Sequence, residues 1–237
     1  MSNSYFQFKQ FIVQQDRSAM KVCTDACLFG ALVANSKLSM TDCLDIGTGT
    51  GLLSLMLAQK NSFVKIHGIE IDSDSVRQAN QNFIESPWAE RLFVYETDAL
   101  DFNPGKKYDC IISNPPFFEN DLHSPDTNKN NAKHNTSLTL VQLLETVNRL
   151  LDNKGSFAVL LPYRRLDYFV EEAAKYHLHL DRQVLVKQTA GHDFFRVILF
   201  FSRTKKQATK EEIIIKDNEG KYTTAFIEVL KDYYLYL

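Results

Sequence analysis

The chain has 237 residues, enough for one large domain with a full hydrophobic core. Its composition, 44% hydrophobic and 24% charged, is that of an ordinary globular protein, and no apolar run approaches the roughly 20 residues needed to span a bilayer. A net charge of −2 excludes a protein that meets nucleic acid through a generally basic surface, so any such contact needs a local patch.

The N-terminus, Met1-Ser-Asn-Ser-Tyr-Phe-Gln7, has no basic stretch followed by an apolar one. No signal peptide is expected, and the cytoplasm is the expected compartment. Tyr5-Phe-Gln-Phe-Lys-Gln-Phe-Ile-Val13 begins with apolar–polar alternation, which predicts a half-exposed strand or hairpin outside the main sheet. Ala26 to Ala34 is a small-residue apolar helix, with Thr24 or Asp25 as its N-cap. Cys43 and Cys110 fall within apolar strand runs and read as small buried residues. Cys23 and Cys27 have no His or Cys pair at zinc spacing elsewhere, so no metal site and no disulfide are expected.

Cys43 to Ile46 is the first core strand, and Leu52 to Lys60 a helix beyond a glycine loop. Gly47, Gly49 and Gly51 let the backbone turn tightly and approach a ligand closely. The loop then offers backbone N–H groups and a helix N-terminus. Dinucleotide folds carry G-x-G-x-x-G at this place. Here the spacing is one residue tighter and Asp45 precedes the first glycine, which argues for a ligand with a carboxylate and an ammonium group.

Val64 to Ile71 is the second strand. Glu70 stands at its end about twenty positions after the glycines, placed to accept from ribose hydroxyls. Asp72 or Ser73 caps the helix from about Asp74 to Ile84. Leu92 to Glu96 is the third strand, closing in Thr97-Asp98-Ala99. Asp98 there is either a turn former or an acceptor for an exocyclic amine.

Tyr108 to Ser113 is the fourth strand, followed by Asn114-Pro115-Pro116-Phe117, the most specific motif in the chain. The two prolines remove two backbone donors, so the carbonyls of Asn114 and Pro115 are not consumed by regular structure. The Asn side chain adds an acceptor oxygen, and Phe117 a flat face. Together they suit an exocyclic amine on a planar ring. The polar stretch from Phe118 to Ser137, with Lys129, Lys133 and His134, reads as a substrate-gripping loop.

Leu138 to Leu151 is an amphipathic helix, and Asp152-Asn-Lys-Gly155 a turn. Ser156 to Leu161 is the fifth strand, and Leu166 to Tyr176 a helix. Arg182 to Val186 and Phe194 to Phe201 form an antiparallel pair at the sheet edge. Ile213 to Ile215 is strand-like, and Tyr222 to Leu237 an aromatic-rich helix. Its Tyr233, Tyr234 and Tyr236 read as packing residues rather than a base-stacking platform. No repeat or linker divides the chain, so one domain over 1–237 is expected, with a small N-terminal extension of about forty residues.

The glycine loop, Glu70, Asp98 and Asn114 to Phe117 occur in the order and spacing of the Rossmann-like S-adenosylmethionine-dependent methyltransferases, and the chain resembles that superfamily. The resemblance implies an α/β fold whose seven strands run 3-2-1-4-5-7-6, the seventh antiparallel. More narrowly, the whole chain resembles the bacterial family that methylates N6 of the adenine just 3′ of the anticodon in valine tRNA. That likeness rests on Phe6-x-Phe-Lys-Gln-Phe11, Met20-Lys-Val-x-Thr-Asp25, Ser86-Pro-Trp-Ala-Glu-Arg91 and the tyrosine-rich ending. The chain departs from it at Cys23, where a glycine or small residue is expected.

By this resemblance Gly47, Gly49 and Gly51 line the methionine part of S-adenosylmethionine, with Asp45 behind them. Glu70 binds the ribose beside Ile71, Asp98 binds the cofactor adenine beside Ala99, and Lys21 and Thr24 cover the cofactor. Asn114, Pro115, Pro116 and Phe117 hold the target base. Arg164, Arg165, Lys129, Lys133, Arg203, Lys205 and Lys206 are candidate phosphate contacts. A tRNA substrate, no membrane, no metal and a monomer are the expected associations. Two other enzymes use a similar motif: a methyltransferase for guanine N2 in ribosomal RNA, and a protein glutamine methyltransferase, usually with Tyr in place of Phe. A nucleotide-binding module would explain the glycine loop but not Asn114.

Overall fold

Two apolar runs, around Cys43–Ile46 and Cys110–Ser113, lie side by side at the centre of a large sheet. The computed structural model describes residues 3–17, 20–36, 40–116 and 138–237. In chain order the strands of the sheet are β3 (Asp42–Ile46), β4 (Lys65–Glu70), β5 (Leu92–Glu96), β6 (Tyr108–Ser113), β7 (Leu151–Pro162), β8 (His179–Thr189), β9 (Phe194–Ser202) and β10 (Thr209–Lys216). A hairpin, β1 (Tyr5–Gln7) and β2 (Ile12–Gln14), forms its own small sheet, as the alternation of the N-terminus predicts.

The helices are α1 (Thr24–Ala34), α2 (Leu52–Lys60), α3 (Ser73–Ile84), α4 (Leu140–Leu150), α5 (Leu166–Lys175) and α6 (Thr224–Leu230). Among the described residues no helix is long and apolar enough to cross a membrane.

The sheet order is β5-β4-β3-β6-β7-β9-β8-β10. Numbered from β3, seven of these strands follow the expected order, and β9 runs antiparallel to both its neighbours. Alternation explains why both faces are covered. Cys43, Cys110 and Ile112 enter the core beneath α1 and α2, whereas Leu44 and Ile111 enter the core shared with α4 and α5.

Four local expectations need correction. The pair β8–β9 is not at the edge, because β10 lies outside it, parallel to β8. Glu211 of β10 accepts two hydrogen bonds from Arg182, at 2.8 and 2.9 Å. The strand-like run Ile213 to Ile215 is the apolar part of β10, and pairing with β8 extends the strand back through Lys210-Glu-Glu212. The turn at Asp152–Gly155 is a bulge inside β7, since Tyr108 faces Leu151 and Cys110 faces Ser156. The N-cap of α1 is Cys23, without a side-chain cap bond. Asp25 instead holds Arg196 at 2.7 Å. Finally, the C-terminal helix stops at Leu230. Beyond it Tyr233 is buried and donates to the Met56 carbonyl at 2.9 Å, and Tyr234 bridges to Phe8. Both are packing residues.

The hairpin is tied to the body by Asn82 of α3. This buried side chain accepts from the Gln14 N–H (2.9 Å) and donates to the carbonyls of Gln14 (2.9 Å) and Thr50 (2.8 Å). Thr50 belongs to the glycine loop, so one amide joins the N-terminal layer to the strand ends.

Candidate active site

All three loop glycines have positive φ: 71° at Gly47, 55° at Gly49 and 80° at Gly51. They differ in what surrounds them. A Cβ at Gly51 would lie 2.4 Å from the ring of Phe83, whereas a Cβ at Gly47 or Gly49 would meet no atom within 4 Å. Gly51 is packed against the protein, and the other two face open space. The loop is pinned at one end by Gly47 and Thr48, whose N–H groups both donate to the Ile69 carbonyl, at 2.9 and 3.1 Å.

Glu70 does more than end a strand. One carboxylate oxygen accepts from the Gly49 N–H at 3.1 Å, and the other from the N–H groups of Ile71 (2.9 Å) and Asp72 (3.1 Å). It therefore joins the glycine loop to the start of α3, which Asp72 caps by accepting from the Ser75 N–H. Ile71 beside it is exposed. Thr97 donates its N–H to the Glu70 carbonyl at 2.9 Å, which brings the end of β5 to the same place.

Asp45 is fully buried. One oxygen accepts from the hydroxyls of Thr48 and Ser54, each at 2.8 Å, and the other has no partner. Burial is the main reason its pKa is pushed up to about 6, and the Glu70 charge adds to it; the two hydroxyls oppose the rise. Little in the sequence points to the roles of Thr48 and Ser54. The one signal was a serine inside the apolar helix Leu52-Leu-Ser-Leu55.

A pH dependence follows. An unfolded Asp titrates near about 3.9, so the folded state binds this proton more tightly, and stability is lost as pH rises from about 4 through about 6. The loss is about 3 kcal/mol at most. Urea titrations of the wild type and Asp45→Asn at about pH 4 and about pH 7 check it, because only the wild type carries this slope. Parallel curves would mean that the Asp45 charge is not strained.

Of its two expected characters, Asp98 shows that of a turn former. Its Oδ1 accepts from the Leu100 N–H at 2.9 Å and its carbonyl from Asp101 and Phe102, which is turn formation. The turn is held from below by Arg149 of α4, which donates to the carbonyls of Ala99, Leu100 and Phe102. Arg149 is a positioning residue for the Asp98 turn that sequence reasoning missed. A lone Arg on an amphipathic helix looks solvated until the fold places carbonyls against it.

Ile46 pairs with Ser113, so Gly47 and Asn114 leave neighbouring strands side by side. The Ser113 hydroxyl locks this junction by donating to the Ile46 carbonyl at 2.9 Å. The Asn114 side-chain oxygen is buried and has no hydrogen-bond partner among the described residues. A buried acceptor left unpaired costs about 1–3 kcal/mol, so its persistence calls for a donor from outside. Pro115 is buried and Pro116 exposed. Phe117 and the 118–137 loop, including Lys129, Lys133 and His134, lie outside the described residues.

The structure thus brings Asp45, the glycines, Glu70, Ile71, Asp98, Ala99 and Asn114 to adjacent strand ends. The N-terminal pair is engaged elsewhere. Lys21 donates to the Gln15 carbonyl, and Thr24 bonds the Tyr234 hydroxyl. Among the basic residues, Arg164 stands at the strand ends, just past β7. Arg203 and Lys206 stand at the opposite end, because Ser202 pairs with Ser156 near the start of β7. There Arg203 donates to the carbonyls of Tyr176 and Asn148, and Lys206 pairs with Asp181 at 2.9 Å.

Residues 27–169 match the family model of the methyltransferase small domain. A tRNA1(Val) (adenine(37)-N6)-methyltransferase of Pectobacterium carotovorum is 40% identical over 235 residues, covering 98% of this chain and 94% of that protein. The chain belongs to this methyltransferase family. A second family member, from Bacteroides thetaiotaomicron and carrying the same name, is 39% identical over the full length of both chains. Among solved structures, one described as a "predicted O-methyltransferase" from Agrobacterium tumefaciens has a TM-score of 0.67 at 14% identity, covering 88% of this chain and 96% of that one. At that identity it shows the shared fold. The opening between the glycine loop and Asn114 lies at the carboxyl ends of the strands, the end at which open α/β sheets take ligands.

Proposed function

We propose that the chain transfers a methyl group from S-adenosylmethionine to N6 of an adenine in tRNA, the adenine at position 37 of valine tRNA named for its relatives. The observation that carries the reading is the Asn114 side-chain oxygen, buried, unpaired and next to the glycine loop. An N6 amine has two hydrogens to donate and suits that acceptor.

The residues fit the cofactor. Gly47 and Gly49 leave the space that a close ligand needs, and the Asp45 oxygen without a partner fits an ammonium group. Glu70 would take the ribose hydroxyls and Asp98 the adenine amine, with Ile71 and Ala99 against the ring. Lys21 and Thr24 would have to leave Gln15 and Tyr234 to close the N-terminal side. The cofactor supplies an electrophilic methyl on a positively charged sulfur.

The protein's part is alignment. The N6 lone pair is delocalised into the adenine ring and is a poor nucleophile. Accepting its two hydrogens at the Asn114 side chain and the Pro115 carbonyl favours a pyramidal nitrogen whose lone pair is withdrawn from the ring's π system, and one of those hydrogens is lost as a proton once the methyl is on nitrogen. Holding two reactants in register is worth about 7–11 kcal/mol. Taking the base out of its stack costs a few kcal/mol, and a stack on Phe117 of about 1–3 kcal/mol offsets part of this. Neither a metal nor a protein nucleophile is needed for a transfer of this kind.

The test is transfer of radiolabelled methyl to total RNA from a strain lacking this gene, followed by nucleoside analysis. Label in N6-methyladenosine of the tRNA fraction is expected. Label in N2-methylguanosine would keep the chemistry and move the substrate to guanine. Label in protein alone would overturn the RNA reading.

A further inference from the structure

We propose that a cleft beside Asn114, bordered by Tyr163, Arg164, Phe194 and Arg196, holds the nucleotide that neighbours the target adenine in the RNA strand. The proposal rests on the reading of the chain as an RNA adenine methyltransferase.

Its position comes from register. Ser113, the last residue of β6, pairs with Val159, and β7 continues to Pro162 before turning. The strand therefore overruns the end of β6 by three positions and forms a wall next to Asn114. β9 returns on the far side, with Arg196 opposite Pro162. Over the paired ends of the two strands, against Pro162, Tyr163, Arg164 and Phe194 to Arg196, is a cleft of about 490 Å3, a size that suits a nucleotide. Neighbouring strands lie about 4.8 Å apart, so a base held at Asn114 and one held in the cleft are within reach of one strand of RNA.

Its chemistry is that of a single-stranded RNA site. Tyr163 is 37% exposed, and its ring packs against Phe194 with centroids 5.2 Å apart. Lys187 lies 4.5 Å over the Phe194 ring, and the Arg196 guanidinium 5.4 Å from the Phe195 ring. Arg164 is exposed at the rim. Asp25 holds the Arg196 guanidinium in place at 2.7 Å. Flat rings interleaved with cations recognise unstacked bases and the phosphates that join them. Arg164 and Lys187, on a chain of net charge −2, make the local patch that an RNA contact requires, while Asp25 already pairs with Arg196. A hydrophobic peptide would use the rings and offer nothing to Arg164 and Lys187.

The test uses the full chain, unmodified valine tRNA transcript, and the same transcript made abasic at either neighbour of the target adenine. Kinetics are read for the wild type, Tyr163→Ala and Tyr163→Phe, with cofactor binding by calorimetry as the check on folding. Tyr163→Ala is expected to raise KM for tRNA by about 5- to 150-fold, the range of one base–aromatic stack, without weakening cofactor binding. Tyr163→Phe is expected to restore it. One abasic transcript is expected to raise the wild-type KM by a similar factor and that of Tyr163→Ala no further. Wild-type KM for Tyr163→Ala, or penalties from the variant and the abasic site that simply multiply, would overturn the cleft and leave the methyltransferase reading intact. Absence of transfer to tRNA by the wild type would overturn both.

Discussion

Asn114→Ala is expected to lower kcat for methyl transfer about 10²–10³-fold, the usual effect of deleting one preorganised hydrogen-bonding group aimed at a reacting centre. The side-chain oxygen is buried and unpaired, so the protein already bears the cost of holding it ready. Removing it relieves that cost, and the variant is expected to fold as stably as the wild type. The loss therefore falls on turnover. The neighbouring glycine loop is untouched, because the Gly47 and Thr48 N–H groups remain on the Ile69 carbonyl. Cofactor affinity is expected to stay within a few-fold. Single-turnover kinetics with calorimetry separate the two quantities. Turnover within about tenfold of wild type would remove Asn114 from the chemistry and with it the proposed mechanism.

The second large effect is a contrast inside the glycine loop. Gly51→Ala places a Cβ 2.4 Å from the Phe83 ring, at a residue whose φ is 80°. Left-handed strain of about 1–2 kcal/mol adds to overpacking of about 1–3 kcal/mol, because Phe83 is buried and cannot step aside. The expected destabilisation is about 2–5 kcal/mol by urea denaturation. Gly49→Ala meets no atom within 4 Å and carries only the strain. Its methyl would project into the space assigned to the cofactor, so it is expected to cost about 1–2 kcal/mol of stability and most of the cofactor affinity. Equal stability losses with undiminished cofactor binding by Gly49→Ala would place the cofactor elsewhere.

The two glycines show where the sequence stops being informative. All three loop glycines look alike in Gly47-Thr-Gly-Thr-Gly51, yet one is a packing residue and two border open space. That difference comes from Phe83, more than thirty residues away, and no local pattern carries it. The same holds for Arg149, which supports the Asp98 turn, and for Arg203 and Lys206, which basicity alone offered as phosphate contacts and which stand at the wrong end of the sheet. Asp25 looked like a cap and is the anchor of Arg196.

What the sequence determined by itself was the part whose signal is local. Apolar runs ended by glycine or proline gave β3 and β6, with β5 and β6 matching their expected bounds residue for residue. The placing of Asp45, Glu70, Asp98 and Asn114 at strand ends was legible because each polar residue stands in or directly after an apolar strand run. The resemblance carried by those motifs was what gave one expected fold and one expected family. Tertiary structure alone decided what needs a distant partner: the eighth strand, which exists by pairing with β8; the end of the last helix, set by Tyr233 reaching Met56; and the cleft, which forms only where β7 overruns β6 and β9 returns beside it. A hydrogen bond or ring contact between residues far apart in the chain leaves no period in the sequence, and these features are made of such contacts.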